Sequence, residues 1–343
     1  MLFKKLLEKA HQLGASDVHL SSGKPPLFRI HGELKTMDGP VVTEDMLADA
    51  LRLALNSEAQ EAFRRDGEAD TAFELEGICR WRINAFKQRG QTAMACRRIP
   101  LSPPSLDQLR LPDILGQLAM RNQGLVLVTG PTGCGKSTTL AAMIHHINTH
   151  QARHIVTLED PIEYIHQSRR SLIHQREVGS DTASFAQGLR AALRQDPDVI
   201  LLGEMRDLET IRTALTAAET GHLVLATLHT PNAPQSIDRI VDVFPPGQQE
   251  YIRLQLAGVL AAVIAQRLLP SADGQKRVAC FEILLNTPAV ANLIRSGKVH
   301  QIRSVMETGR QQGMQTMEQA VQELVAQGRV KKEVADQLIG DVH

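Results

Sequence analysis

Apolar positions in the first hundred residues switch between two periods. Leu2, Phe3, Leu6, Leu7, Ala10 and Leu13 recur every three or four residues among Lys4, Lys5, Glu8 and Lys9, which predicts an amphipathic helix at the start of the chain. Those charges exclude the continuous apolar centre of a secretory signal. Residues 15–20 alternate as a short strand, and strands are expected at 27–30 and 33–35 around a His31-Gly32 turn. Thr43 is placed to cap a helix running to Ala62. Further strands are expected at 70–75, 80–86 and 91–99. Helices beside several antiparallel strands make a small α+β domain over 1–100.

Pro100, Pro103 and Pro104 interrupt this texture, and 101–122 reads as a linker holding a short helix near 111–120. Beyond Gly124 four apolar runs, at 125–129, 155–159, 199–202 and 223–228, are each followed by a helix-length segment. Runs without alternation are buried on both faces, and strand–helix order predicts a parallel sheet covered on both sides, over 123–270. Leu254 to Gln266 carries no charge, is too short to cross a bilayer, and reads as a core helix. From about Leu268 the pattern is helical to the end, so 271–343 is expected to be a helical region.

Length and composition narrow the class. The 343 residues suffice for two domains, and 43% apolar with 22% charged residues is an ordinary globular balance. Lys+Arg and Asp+Glu are both 38, which argues against bulk attraction to nucleic acid or to an anionic membrane. Aromatic residues at 3% are too few for a base-stacking platform. No nucleic acid and no direct membrane insertion are therefore expected. Cys79, Cys96, Cys134 and Cys280 form no CxxC pair, which leaves buried or loop thiols in a reducing cytoplasm rather than a zinc ribbon.

The chemistry concentrates after the prolines. Gly130-Pro131-Thr132-Gly133-Cys134-Gly135-Lys136-Ser137-Thr138 fits GxxxxGK[ST], with an apolar strand leading in and a helix-prone stretch leading out. Glycines let such a loop wrap phosphates, amide N–H groups and a helix N-terminus point inward, Lys136 bridges the β- and γ-phosphates, and the Ser137 hydroxyl meets Mg²⁺. Hydrolysis also needs a metal-side carboxylate and a group that activates water. Glu204 follows the strand at 199–202, where the first belongs, or it caps the next helix. Glu159-Asp160-Pro161-Ile162-Glu163 follows another strand and offers Glu163 as the base; Glu159 and Asp160 read equally as turn caps. His222 and His229 bracket the strand at 223–228, either as satisfied polar residues or as phosphate sensors. Arg80, Arg82, Arg89, Arg97 and Arg98 have no obvious acidic mates and read either as a solvated strand face or as arginine fingers for a neighbouring subunit.

Together these segments resemble the secretion ATPase superfamily, and within it the retraction ATPases of type IV pili. The likeness begins at Gly14-Ala15-Ser16-Asp17-Val18-His19-Leu20 and reaches the C-terminal helices. Residues 130–138 are its Walker A box, 157–163 look like its Asp box, 202–210 like its atypical Walker B, and 220–230 like its His box. The resemblance implies an N-terminal PAS-like α+β domain, then a RecA-like P-loop ATPase domain of α/β class with a helical C-terminal subdomain. It implies a ring-shaped homohexamer that binds ATP and Mg²⁺ between the domains. By motif position, Glu163 is the catalytic glutamate, Glu204 the Walker B acid, Ser137 and Glu204 the metal side, His222 and His229 the His box, and Arg82 and Arg97 the trans-acting arginines.

The implied function is a motor that couples ATP hydrolysis to pilus retraction, cytoplasmic and held at the inner membrane by a pilus platform protein. Residues 287–295 are similar to the AIRNLIRE motif of the retraction enzymes, except that Ala291 replaces its arginine and Ser296 its glutamate. Those departures favour an alternative, a nucleotide-binding regulatory subunit acting with a paralogous pilus ATPase. An assembly or type II secretion ATPase is a further alternative, against which stands the missing four-cysteine element. A DNA-translocating motor rests on fold analogy alone.

Overall fold

The computed structural model describes residues 2–30, 32–99 and 102–342; His31 of the expected turn and Pro100 and Leu101 lie outside them. The chain divides into two units, Met1–Ser102 and Pro103–His343.

In the first unit α1 (Leu2–Gln12) precedes β1 (Asp17–Ser21), β2 (Leu27–Ile30) and β3 (Glu33–Thr36); α2 (Glu44–Ala54) and α3 (Ser57–Asp66) lead to β4 (Glu68–Leu75), β5 (Cys79–Gln88) and β6 (Gln91–Ile99). The strands form one antiparallel sheet in the order β3-β2-β1-β6-β5-β4. Along β5 the pleat sends Trp81, Ile83 and Ala85 into the core with Leu7, Phe28 and Leu47, and leaves Arg80, Arg82 and Asn84 on the other face. The single helix expected from Thr43 to Ala62 is two. Thr43 does cap the first, its hydroxyl accepting from the Met46 N–H at 3.3 Å. Leu55 is extended, and the Asn56 side chain accepts from the Ala59 N–H at 2.8 Å to start the second. An asparagine that bonds nearby backbone breaks a helical pattern that apolar spacing alone would continue.

In the second unit α4 (Asp113–Ala119) leads to β7 (Gly124–Thr129), α5 (Lys136–His150), β8 (His154–Glu159), β9 (Leu172–Glu177), α6 (Phe185–Ala192), β10 (Val199–Leu202), α7 (Leu208–Glu219) and β11 (Leu223–Leu228). Then come α8 (Ala233–Asp242), α9 (Pro246–Val259), β12 (Leu260–Pro270), β13 (Arg277–Leu285), α10 (Pro288–Arg295), α11 (Ile302–Thr308), α12 (Met317–Ala326) and α13 (Lys332–Val342). The sheet order is β13-β12-β7-β11-β10-β8-β9, parallel throughout except for β13. β7 is wholly buried: Leu125 and Leu127 belong to one core, and Val126 and Val128 to another on the opposite face. Layers on both faces explain why its run does not alternate.

The stretch read as a linker packs within this unit, where Leu111, Leu115 and Leu118 share a core with Leu140, Met143 and Ile147 of α5. The expected core helix at 254–266 is corrected: α9 ends at Val259 and the chain continues as β12. The helical reading after Leu268 is corrected too, because β13 pairs with β12 through nine residue pairs before the helices resume. A strand buried on both faces carries no period of two, so an uncharged run spanning a helix end and a strand cannot be divided by periodicity. β9 was absent from the expected strands; of its six residues only Ile173 is buried.

Candidate functional site

Because β7, β11, β10 and β8 are parallel neighbours, their carboxyl ends share one edge, and the segments leaving them converge there. This is the edge at which open α/β sheets place ligands. A cavity of about 540 Å³ lies at it, lined by Gly133, Lys136, Ser137, Glu163, Glu204 and His229 among others. The other large cavity, about 480 Å³ in the first unit, has a mainly apolar wall including Phe3, Leu6, Leu20 and Leu47, with Lys9 and Arg52 as its cations and no glycine-rich loop.

The phosphate-loop sequence folds as its spacing implies. β7 ends at Thr129, and Gly130, Gly133 and Gly135 take positive φ angles of 136°, 77° and 91°. At Gly130 a Cβ would overlap the Gln266 carbonyl oxygen and come within 2.8 Å of Cys134 Sγ, so side chains are excluded by space as well as by φ. Gly135 ends the turn and α5 begins with no side-chain cap, leaving the helix N-terminus facing the cavity as an anion site. Lys136 is buried and its ammonium donates to the carbonyls of Gly130 at 2.8 Å and Pro131 at 3.2 Å. Burial pushes Lys136 below the usual lysine range, against the pull of Glu204 and Glu163. Cys134 is buried, and burial raises its thiol above the ordinary value. Thr138 meets the Tyr164 hydroxyl at 3.0 Å.

Glu204 stands just past β10. Its carboxylate is 2.7 Å from Arg206 and 3.3 Å from Nε2 of His229, which follows β11. Burial disfavours the charged carboxylate, but Arg206 and His229 outweigh it and hold Glu204 below its ordinary value. Gly203 donates to the Leu158 carbonyl at 2.8 Å, Met205 donates to Thr227 at 3.2 Å, and the Thr227 hydroxyl donates to Gly203, so three strand ends are tied beneath this carboxylate. The Ser137 hydroxyl and the Glu204 carboxylate are oxygen donors on one cavity, the donor type that Mg²⁺ takes.

The 159–166 segment is held from β8 and β9. Glu159 is half-buried and accepts from Thr157 at 2.7 Å and Gln175 at 3.2 Å. Burial raises its carboxyl above the ordinary value despite those bonds. Glu177 accepts from the Ile162 N–H at 3.1 Å and Gln175 from the His166 N–H at 2.8 Å, leaving Glu163 exposed at the cavity wall.

The remaining candidates fall elsewhere. His222 lies at the opposite end of β11 from His229; its Nδ1 sits 2.9 Å from the Ala217 carbonyl, and it does not line the cavity. Arg82 and Arg97 belong to the first unit, directly opposite each other on β5 and β6. The expectation that they lack acidic mates is corrected. Arg97 Nε is 2.9 Å from Asp17, and Arg82 Nε is 3.8 Å from Asp70. The pairing brings Asp17 of β1 opposite Arg97, a contact across 80 positions that sequence spacing does not reveal. Arg98 pairs with Trp81 and so faces the other side of the sheet. Sequence reasoning also missed Gln266, Leu268, Arg206 and Arg277 at the nucleotide side; an amide inside the uncharged 254–266 run was the signal available for Gln266.

Residues 1–339 match the family model of the type II/IV secretion system proteins. The chain belongs to that family. Within the family it is similar to a twitching motility protein of Neisseria gonorrhoeae, 51% identical over 310 residues, covering 90% of this chain and 83% of that one. It is similar to the type IV pilus retraction ATPase PilT of Pseudomonas aeruginosa, 45% identical over 331 residues and 96% of each chain. Its fold matches a crystal structure of the pilus retraction motor PilT with bound ADP, with a TM-score of 0.91 at 48% identity, covering 97% of this chain and 95% of that one. No helix among the described residues is long and apolar enough to cross a membrane.

Proposed function

We propose that the chain is an ATP-hydrolysing motor for type IV pilus retraction. The observation that carries it is the joint presence of Lys136, Glu163, Glu204 and His229 on one cavity at the carboxyl edge of the sheet, in a chain similar along its whole length to retraction ATPases. The amides of the loop and of the first turn of α5 bind the phosphates, and Lys136 exchanges its bonds to Gly130 and Pro131 for phosphate oxygens. Ser137 and Glu204 would hold Mg²⁺, which would supply positive charge against the phosphates. Arg206 is paired with Glu204 at 2.7 Å and holds that carboxylate charged. Glu163 orients and deprotonates the attacking water, and His229 holds Glu204 in place.

Arg82 and Arg97 act on the site of a neighbouring copy in a homohexamer, exchanging Asp70 and Asp17 for phosphate. The chain works in the cytoplasm, at the inner membrane, through a pilus platform protein. The deciding experiment counts surface pili on cells lacking the protein. More pili and lost motility support retraction; few or no pili mean assembly instead. A shared site also requires specific ATPase activity to fall on dilution, and activity constant down to monomer refutes it.

A regulatory subunit beside a paralogous pilus ATPase is favoured by one observation. Ala291 is buried in α10, and the Ser296 hydroxyl is spent on the Asn292 carbonyl at 2.8 Å, so two of the three charged positions of the retraction motif carry no charge here and only Arg295 keeps one. Purified protein that binds ATP without turning it over supports that alternative; brisk turnover excludes it.

A further inference from the structure

Beside the phosphate loop lies a polar side chain without an assigned role. Gln266 is 3% exposed, near the end of the buried part of β12, where the neighbouring pair is Ala265 with Thr129, the last residue of β7. Its amide nitrogen donates to the Cys134 carbonyl at 2.7 Å, and its amide oxygen accepts from the Thr139 hydroxyl at 2.7 Å. A carbonyl can only accept, so the nitrogen must face Cys134, and the hydroxyl then has an acceptor to serve. The side chain thus joins the middle of the loop to the first turn of α5. The main-chain carbonyl of Gln266 fills the space a Cβ on Gly130 would need, and its side-chain nitrogen lies 3.0 Å from where a Cβ on Gly135 would sit.

We propose that Gln266 is a positioning residue that holds the phosphate loop in its nucleotide-binding shape. The proposal rests on the nucleotide site described above. A loop whose amides must converge on phosphate has little structure of its own; Lys136 satisfies only the carbonyls of Gly130 and Pro131, and it leaves them when phosphate arrives. The bonds from Gln266 reach Cys134 and Thr139 from a neighbouring strand and are independent of the ligand. A pre-shaped loop binds ground state and transition state alike, so losing the brace weakens nucleotide binding more than it slows the bound complex.

The test uses the full chain and ADP with Mg²⁺ as probe, by titration calorimetry, together with steady-state ATPase kinetics. Gln266→Leu keeps the bulk and removes both bonds. The expected result is a Kd for ADP about tenfold higher and a raised KM for ATP, with kcat changed less than about twofold. Thr139→Val removes one bond from the other partner and gives a smaller rise, which Thr139→Ser reverses. Unchanged ADP affinity in folded Gln266→Leu overturns the proposal, as does a lowered melting temperature with unaltered Kd and KM, because that is a brace for stability alone. If Gln266→Leu does not fold, unchanged affinity in Thr139→Val overturns it instead. Wild-type protein that binds no ADP overturns the nucleotide reading itself, an outcome distinct from wild-type binding matched by the variants.

Discussion

His166 offers a quantitative check on how the 159–166 segment is held. The residue is buried, its main-chain N–H is taken by Gln175, and its Nδ1 has no partner among the described residues. Burial, with a smaller push from His145, lowers it from 6.5 to about 4. The folded value lies below the unfolded one, so the associated stability is complete above about 6.5 and is lost as pH falls toward about 4, where the unfolded chain alone takes up the proton. Between pH 7.5 and 5 that difference amounts to about 2 kcal/mol, since each unit of separation is worth about 1.4 kcal/mol and the folded ring is still neutral at the lower pH. His166→Phe keeps a buried ring and removes the titration. Denaturant unfolding at the two pH values, followed by far-ultraviolet circular dichroism, measures both proteins; tryptophan fluorescence would follow the other unit, because the single tryptophan is Trp81. Wild type should lose about 2 kcal/mol more than His166→Phe on acidification. Equal losses refute the claim that this histidine is buried neutral in the folded chain.

Two further outcomes test other parts of the structure. Glu204→Gln keeps the bond-forming shape but removes the charge that Arg206 and His229 stabilise, so turnover should fall about 100-fold or more in a steady-state ATPase assay while ADP binding persists. Asn56→Ala removes the cap that begins α3 and should cost about 1 kcal/mol in denaturant unfolding; a single helix through this region would instead gain from the alanine.

The fold was legible wherever burial follows directly from pattern. The four apolar runs became β7, β8, β10 and β11 because a parallel strand between two helical layers has no polar face to interrupt it. Strands were expected at 80–86 and 91–99 and became β5 and β6; in β5 burial alternates, with Trp81 and Ile83 inward and Arg80 and Arg82 outward, whereas β6 buries Thr92, Ala93 and Met94 in succession. The same logic fails at 254–266, where helix and buried strand meet with no charge between them. It also fails at 55–56, where the break comes from one side-chain hydrogen bond and not from hydrophobicity.

The site divides along the same physical line. Phosphate chemistry demands glycines, a lysine and a hydroxyl in fixed order, so the loop at 130–138 and its place between β7 and α5 were legible in the sequence. That Glu163 and Glu204 line one cavity was legible because strand ends at one edge of a parallel sheet are neighbours. Whether a residue at a strand end faces the ligand depends on which end, and His222 and His229 differ in just that respect. Gln266 lies beyond any such rule. It is about 130 positions from the loop that it touches, and it becomes the neighbour of that loop only because β12 pairs with β7. The order of strands in the sheet, which local pattern does not encode, therefore decides which buried polar residue shapes the phosphate loop.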